Sequence, residues 1–313
     1  MTANLLSSSE AIGSEVIKPD RILAADELSR LNTRSDLQGY LRLGRHLAVM
    51  AVSGYLWVMN PLAIPLLIVY GFSLAAMFAV MHECCHRTAF ANNQVNDIVA
   101  WWAGVLSFYN STFYRRYHKW HHRYTRIPGK DPELTDRTPD SLLSYGLELS
   151  GLPWWWGKIR GHSRIAMGII DECEYIPATA RAEVIQSTRL QLLVYAIAIG
   201  ISVAYAQPWF LIYWLLPLAI GQPILRFILL AEHTGCTLDD NSLTNTRTTL
   251  TLAPLRFLMW NMPFHAEHHL YASIPFHALP AAHDRLKSHF AKVDPGYVSV
   301  NLGIVSNLES LRS

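Results

Sequence analysis

Charge is scarce in this chain of 313 residues. Asp, Glu, Lys and Arg make up 16% of it, and none occurs from Leu47 to Met81 or from Leu190 to Leu225. With 51% hydrophobic residues, ten Trp and fourteen Tyr, that scarcity argues for a membrane protein rather than a water-soluble domain. Cysteine is sparse too: Cys84, Cys85, Cys173 and Cys236 offer no disulfide framework. The first 38 residues are polar and lack the basic-then-apolar layout of a signal peptide. They are expected to form a tail that orders only near the first span. No phosphate-binding glycine motif and no long internal repeat is present. Nucleic acid is not expected as a partner.

The uncharged runs set the topology. Wound as one helix, each would be about 50 Å long, well beyond a hydrocarbon core of about 30 Å. Each is broken near its middle by a turn signal, Asn60-Pro61 and Gln207-Pro208. The expectation is an all-α integral membrane protein with four transmembrane helices in two hairpins, at about 41–59, 62–82, 189–206 and 209–230. Neither hairpin tip carries Lys or Arg, so both termini and the long central loop are expected in the cytoplasm, where the thiols stay reduced. Ile98–Tyr114 is uncharged and aromatic, but Asn110, Ser111 and Thr112 interrupt it. It reads as an interfacial or re-entrant helix, and Leu152–Trp156, with three consecutive tryptophans, as an interfacial anchor. The expected division is a tail at 1–38, a membrane domain at 39–295 and a tail at 296–313.

Against this background, histidine is conspicuous. Eight of fourteen fall into three clusters: His82-Glu-Cys-Cys-His86, His118-Lys-Trp-His121-His122 and His265-Ala-Glu-His268-His269. Spacings of three and four put each cluster on one face of a helix. All three clusters lie at the cytoplasmic side of the expected topology, in a helical cap. Eight imidazoles exceed the need of one ion, so two metals in one site are predicted. His233, just after the fourth span, lies level with them and is the ninth candidate. His46, His162, His277, His283 and His289 lack such spacing and read as structural or surface residues.

Imidazole suits Zn, Cu, Fe or Ni, so ligand type leaves the metal open. Cys84 and Cys85 point away from the histidine face, which leaves them a packing role. Nine imidazoles shared by two ions leave open positions, the mark of a catalytic metal. Glu83, Glu232 and Glu267 each adjoin a candidate ligand and are candidates to accept the outer ring N–H of a ligating histidine.

The spacing H-x3-H, H-x2-H-H, H-x2-H-H in this order, flanking hydrophobic hairpins, resembles the membrane fatty-acid desaturase/hydroxylase superfamily. The strings His82-Glu-Cys-Cys-His86-Arg-Thr-Ala-Phe and Asn261-Met-Pro-Phe-His265-Ala-Glu-His268-His269-Leu carry it, and it covers roughly residues 40–290. The resemblance implies two iron ions, O2 activation and attack on an unactivated C–H bond of a lipid, with His233 as the additional ligand before the third cluster. Such chemistry needs an oxidant no side chain provides. No His-Pro-Gly-Gly haem signature and no flavin or nicotinamide motif is present. Electrons are therefore expected from a separate donor such as a ferredoxin-like carrier. Arg115, Arg116, Lys119, Arg123 and Arg126 are candidates to dock it or a substrate phosphate, or they face lipid headgroups.

The leading expectation is a desaturase that puts a double bond into an acyl chain. Hydroxylation or ketolation of a lipid or carotenoid on the same scaffold is the alternative. A metal transporter or sensor is more remote, because transport sites lie near the bilayer midplane. The substrate is expected in an apolar tunnel lined by Phe78, Trp101, Trp102 and Phe227. Chain length, position of oxidation and oligomeric state are not legible.

Overall fold

A computed structural model describes residues 22–135, 138–170 and 173–308. Among these, helices dominate. A short helix α1 (Ala25–Leu31) precedes the long α2 (Asp36–Met59). Ser35 caps α2 by accepting the Gln38 N–H at 3.3 Å. Asn60-Pro61 ends it, and α3 (Ile64–Ala75) and α4 (Met77–Cys85) follow as one nearly continuous rod. Then come α5 (Asn93–Ser107), α6 (Ser111–Tyr124), a 3₁₀ turn (Pro132–Thr135), α7 (Leu142–Ser150) and α8 (Leu152–Ala166). The second hairpin is α9 (Ala178–Ala204), a wide π turn (Leu211–Leu215) and α10 (Leu216–His233). Two residues of β1 (Thr248–Thr249) pair in parallel with β2 (Val293–Asp294). Around them lie α11 (Ala253–Leu258), α12 (His265–Leu270), α13 (Leu279–Leu286) and α14 (Tyr297–Ser306).

Both expected turns are present, at Asn60-Pro61 and Gln207-Pro208. Three helical segments are long and apolar enough to cross a membrane: Ile64–Cys85, Ala178–Ala204 and Leu211–His233. The α2 helix has the length but carries Arg42, Arg45 and His46 in its first half, and is not among them. Arg42 donates to the Phe257 carbonyl at 3.0 Å. The buried His46 bonds the Ser73 carbonyl at 2.8 Å and accepts from the Trp260 indole at 3.2 Å. These contacts tie α2 to α3 and to the segment before the third histidine cluster.

The α3 and α10 helices pack closely because Gly71 and Gly221 face each other. A Cβ on Gly221 would overlap the Gly71 carbonyl. Small residues let backbones approach in this way when lipid provides no hydrophobic drive. The Ile98–Tyr114 segment is not one helix: Phe108 takes φ 62° and breaks the chain into α5 and α6. The α5 helix packs against α4, and α6 packs against both α4 and α5.

Two apolar clusters frame the site. The larger joins α3, α4, α5 and α10 with the segment at Leu258–Met262. The smaller packs Phe264, Ala266, Tyr271 and Ile274 on α13, with Leu23 added from the N-terminal segment. Of the expected N-terminal tail, residues 1–21 lie outside the described residues, while Glu27 of α1 accepts from Arg285 at 3.0 Å. Within the expected C-terminal tail, α14 turns Tyr297, Val300 and Ile304 into the larger cluster. Their three- and four-residue spacing gives that helix an apolar face.

Candidate metal centre

Each histidine cluster is delivered by a helix end. His82 is on the last turn of α4, and His86 immediately follows that helix. His118, His121 and His122 occupy the last two turns of α6. The start of α6 is fixed by Asn110, which accepts the Phe113 N–H at 2.8 Å and donates to Ser187 and Thr188 of α9 at 3.2 Å each. His233 ends α10. There Arg247 donates to the Ala231 carbonyl and, at 2.9 Å, to that of Thr234, while its Nε donates to Asp294 at 2.8 Å. The third cluster opens α12. Left-handed residues flank all three clusters: Arg87 at φ 60°, Arg126 at 62°, and Trp260 and Asn261 at 50° and 60°. Such backbone costs on the order of 1–3 kcal/mol per residue, which the surrounding packing must offset.

The nine histidines gather into two adjoining sets. His82, His86, His118, His122 and His268 form one, with candidate ligand atoms all within 4.8 Å of one another; His121, His233 and His269 form a second on the same criterion. His265 joins the second set, its Nε2 lying 3.1 Å from Nε2 of His233. In the first set, Nε2 of His122 lies 3.0 Å from Nε2 of His118 and 3.1 Å from Nε2 of His268. An imidazole nitrogen has one in-plane site, a proton or a lone pair. Three converging Nε2 atoms are poorly satisfied by each other and well satisfied by a cation. Nε2 of His82, His86, His121 and His269 is buried without a hydrogen-bond partner. Buried polar atoms normally have one, so the donor set fits bound metal.

Burial, reinforced by neighbouring histidines, lowers the pKa of His118, His122, His265, His268 and His269. Burial, then Arg115 and His121, pushes His86 down to about 3. These rings are neutral at physiological pH, the form that binds metal. His121 is the exception. Burial lowers it, but the Glu133 charge and the Asp131 hydrogen bond outweigh that and raise it.

The outer nitrogens are held by unforeseen groups. His121 Nδ1 lies 2.9 Å from the buried Asp131 carboxylate, His269 Nδ1 is 3.1 Å from the Thr125 hydroxyl, and His233 Nδ1 is 3.2 Å from the Asn245 carbonyl. The Asp131 carboxylate also accepts the N–H of Arg126 at 2.7 Å and of Glu133 at 3.0 Å. Despite burial, these bonds and the His121 charge lower its pKa. Glu133 approaches His121 Nε2 at 3.5 Å. No spacing rule points to Asp131 or Glu133; a turn after α6 brings them back.

The three expected carboxylates divide. Glu232 lies 3.5 Å from His265 Nε2, and its other oxygen is buried without a partner. Glu83 instead accepts the Phe276 N–H at 2.9 Å. Glu267 bonds His283 Nδ1 at 2.5 Å and the Thr248 hydroxyl. Those two therefore hold the chain behind the third cluster and meet no candidate ligand. Cys84 and Cys85 are buried, and Cys85 donates weakly to the Ser111 carbonyl at 3.6 Å.

A cavity of about 440 Å³ opens beside both sets, with His82, His118, His121, His233 and His265 in its wall. Phe78 lines it; Trp101, Trp102 and Phe227 are not among its lining residues. Trp102 is 53% exposed, on the outer face of α5, and Phe227 packs into the larger apolar cluster. In a lipid solvent an apolar side chain has no reason to turn inward, so hydrophobicity does not separate wall from outer surface. The inner wall is aromatic and polar instead, with Tyr109, Tyr114, Trp154, Lys158 and Arg226.

Comparison with known proteins gives the same family as the histidine spacing. The chain is 30% identical over 105 residues to an sn-1 oleoyl-lipid 12-desaturase of Picosynechococcus sp., covering 31% of this chain and 30% of that protein. It is 22% identical over 250 residues to an sn-1 oleoyl-lipid 12-desaturase of Anabaena variabilis, covering 77% of this chain and 59% of that one. The matches thus span less than two thirds of either relative. A fatty acid desaturase profile matches residues 56–301, most of the chain. The chain belongs to the fatty acid desaturase family.

Proposed function

We propose that the chain is an O2-dependent lipid desaturase that holds two iron ions and introduces a double bond into an acyl chain. The observation that carries this reading is the pair of adjoining imidazole sets, five and four strong, beside one cavity whose wall takes His82 and His118 from the first and His121, His233 and His265 from the second. One ion would be held by His82, His86, His118, His122 and His268, the other by His121, His233, His265 and His269. Two irons bound there would supply, with O2, the oxidant needed for an unactivated C–H bond. The chain's own residues orient and exclude. Asp131, Thr125 and Asn245 fix the rings of His121, His269 and His233. Phe78 and Tyr114 lie against His82 in the cavity wall, where they would help keep water from the reacting carbon. Glu232 is the carboxylate placed to take part at the second ion.

The catalytic unit is the domain at 39–295. We read α2 as a fourth span, supported by its 24-residue length and the absence of Lys and Arg at both hairpin tips. The histidine sets then lie at the cytoplasmic end. Electrons come from a separate carrier. Of the basic residues near the second cluster, Arg115 pairs with Asp97 and Arg116 with Glu183, each at 2.6 Å, and Arg126 reaches the Cys236 and Thr237 carbonyls. Lys119 and Arg123 remain exposed and suit an acidic donor. The test is the lipid profile of cells expressing the chain with a competent donor. Acyl chains lighter by two hydrogens support a desaturase; chains gaining one oxygen refute it in favour of hydroxylation.

A further inference from the structure

The segment after β2 folds into α14 and lies against a candidate membrane span, α10. No Asp, Glu, Lys or Arg occurs from Tyr297 to Leu308. One face of α14, with Tyr297, Val300 and Ile304, packs into the larger apolar cluster. Asn301, on that same face, has its polar atoms bonded inside the protein. Its amide donates to the Phe227 carbonyl of α10 at 3.1 Å and to the Tyr297 carbonyl at 2.9 Å, and its oxygen accepts from the Tyr145 hydroxyl of α7 at 2.9 Å. The other face carries Val298 and Leu302, one turn apart and 66% and 65% exposed. The exposed Ser306 hydroxyl turns back to the Gly303 carbonyl of its own helix at 3.0 Å. A helix facing water carries charge opposite its buried face; one apolar all round is surrounded by protein or by lipid. Among the described residues, protein covers only one face of α14. At 10 residues, about 15 Å, it is too short to cross a membrane.

The α7 helix adjoins it. Both α7 and α14 pack on α10, and the Tyr145–Asn301 bond joins them. Leu142, Leu143 and Leu147 of α7 are exposed, Leu143 by 74%. The contact at Phe227 fixes the depth. That residue lies six positions before His233, about 9 Å along the axis of α10, and inside the apolar segment Leu211–His233. Exposed apolar surface of this extent marks a protein or membrane contact, and here it sits on two helices packed against a span. We propose that α7 and α14 lie in the membrane interface on the histidine side, with Leu143, Val298 and Leu302 against lipid acyl chains. The α14 helix is then seated in the bilayer rather than free in water, and lipid is the partner of its outer face. This is independent of the reaction proposed above and rests on α10 as a membrane span.

The test uses the full-length, iron-loaded protein in nanodiscs of a phosphatidylcholine that carries a photoreactive diazirine near the ester end of one acyl chain. Adducts are mapped by mass spectrometry after illumination. Leu142–Ser150 and Tyr297–Ser306 should be labelled, as should α9 at its exposed Leu190 and Leu193. A nitroxide gives a second reading. It is attached at Leu302→Cys in a Cys173→Ser background, since Cys84, Cys85 and Cys236 are buried. O2 should relax this label more than a water-soluble nickel chelate does, and the order should reverse at Ser288→Cys, an exposed position after α13. Adducts on α9 with α7 or α14 bare, or a nickel effect above the O2 effect at Leu302→Cys, overturn the proposal. A label shielded from both reagents, with no adducts on α14, places a second protein copy on that face and also overturns it. If α9 and α10 carry no adducts either, the reading of these helices as spans fails, and the proposal with it.

Discussion

Asp131→Asn isolates one half of the centre. Asp131 is 3% exposed, and its carboxylate serves three donors: His121 Nδ1 at 2.9 Å, and the N–H groups of Arg126 at 2.7 Å and Glu133 at 3.0 Å. Asparagine keeps the shape but offers one oxygen, so its amide nitrogen must face a donor. Hydrogen bonds to a charged group contribute about 1.5–3 kcal/mol, or roughly 10- to 150-fold in an equilibrium constant. Loss of a metal-ligand support typically costs about 10–100-fold in affinity. Because His121 belongs to the second set, only that ion should be weakened. Iron titrated out with a graded chelator should leave in two steps, the first at about 10–100-fold lower chelator than in wild type, with the other ion unchanged. Two irons released together at the wild-type concentration would refute the role of Asp131 and the assignment of His121 to a separate ion.

Further outcomes follow from the same geometry. His233→Ala should lose one iron and all turnover, whereas His289→Ala, on an exposed position, should keep both; metal content by mass spectrometry distinguishes them. Gly221→Ala places a Cβ on the Gly71 carbonyl and should destabilise the protein by about 1–3 kcal/mol, read as a lower melting temperature in detergent. The iron-free protein should lose stability on acidification. Burial lowers the folded pKa of His118, His122, His265, His268 and His269. Their contribution is therefore complete above the unfolded value of about 6.5 and declines as pH falls toward the folded values. Thermal melts between pH 7 and 5 check this, and a melting temperature independent of pH would contradict it.

The histidine clusters were legible because their information is local: three- and four-residue spacing survives any tertiary arrangement. The hairpin turns were legible because charge-free runs end visibly at Asn60-Pro61 and Gln207-Pro208. The sharing of ligand candidates between two sets was not. His121 and His122 are neighbours in sequence yet fall in different sets, and so are His268 and His269. That division depends on how α6 and α12 meet. Asp131 was hidden because its role comes from a turn through Arg126 at φ 62°, not from a periodic pattern. Trp101, Trp102 and Phe227 stand outside the lining of this cavity, a distinction the sequence does not carry because lipid-facing and core-facing aromatics share one composition. Glu83 and Glu267 adjoin candidate ligands in sequence, but on a helix adjacent residues point apart.

The most direct test of the central claim is anomalous diffraction at the iron edge from crystals of the protein grown with iron. The account predicts two peaks, one within ligand distance of His82, His86, His118, His122 and His268, the other within reach of His121, His233, His265 and His269. A single peak, or iron away from these sets, would contradict it.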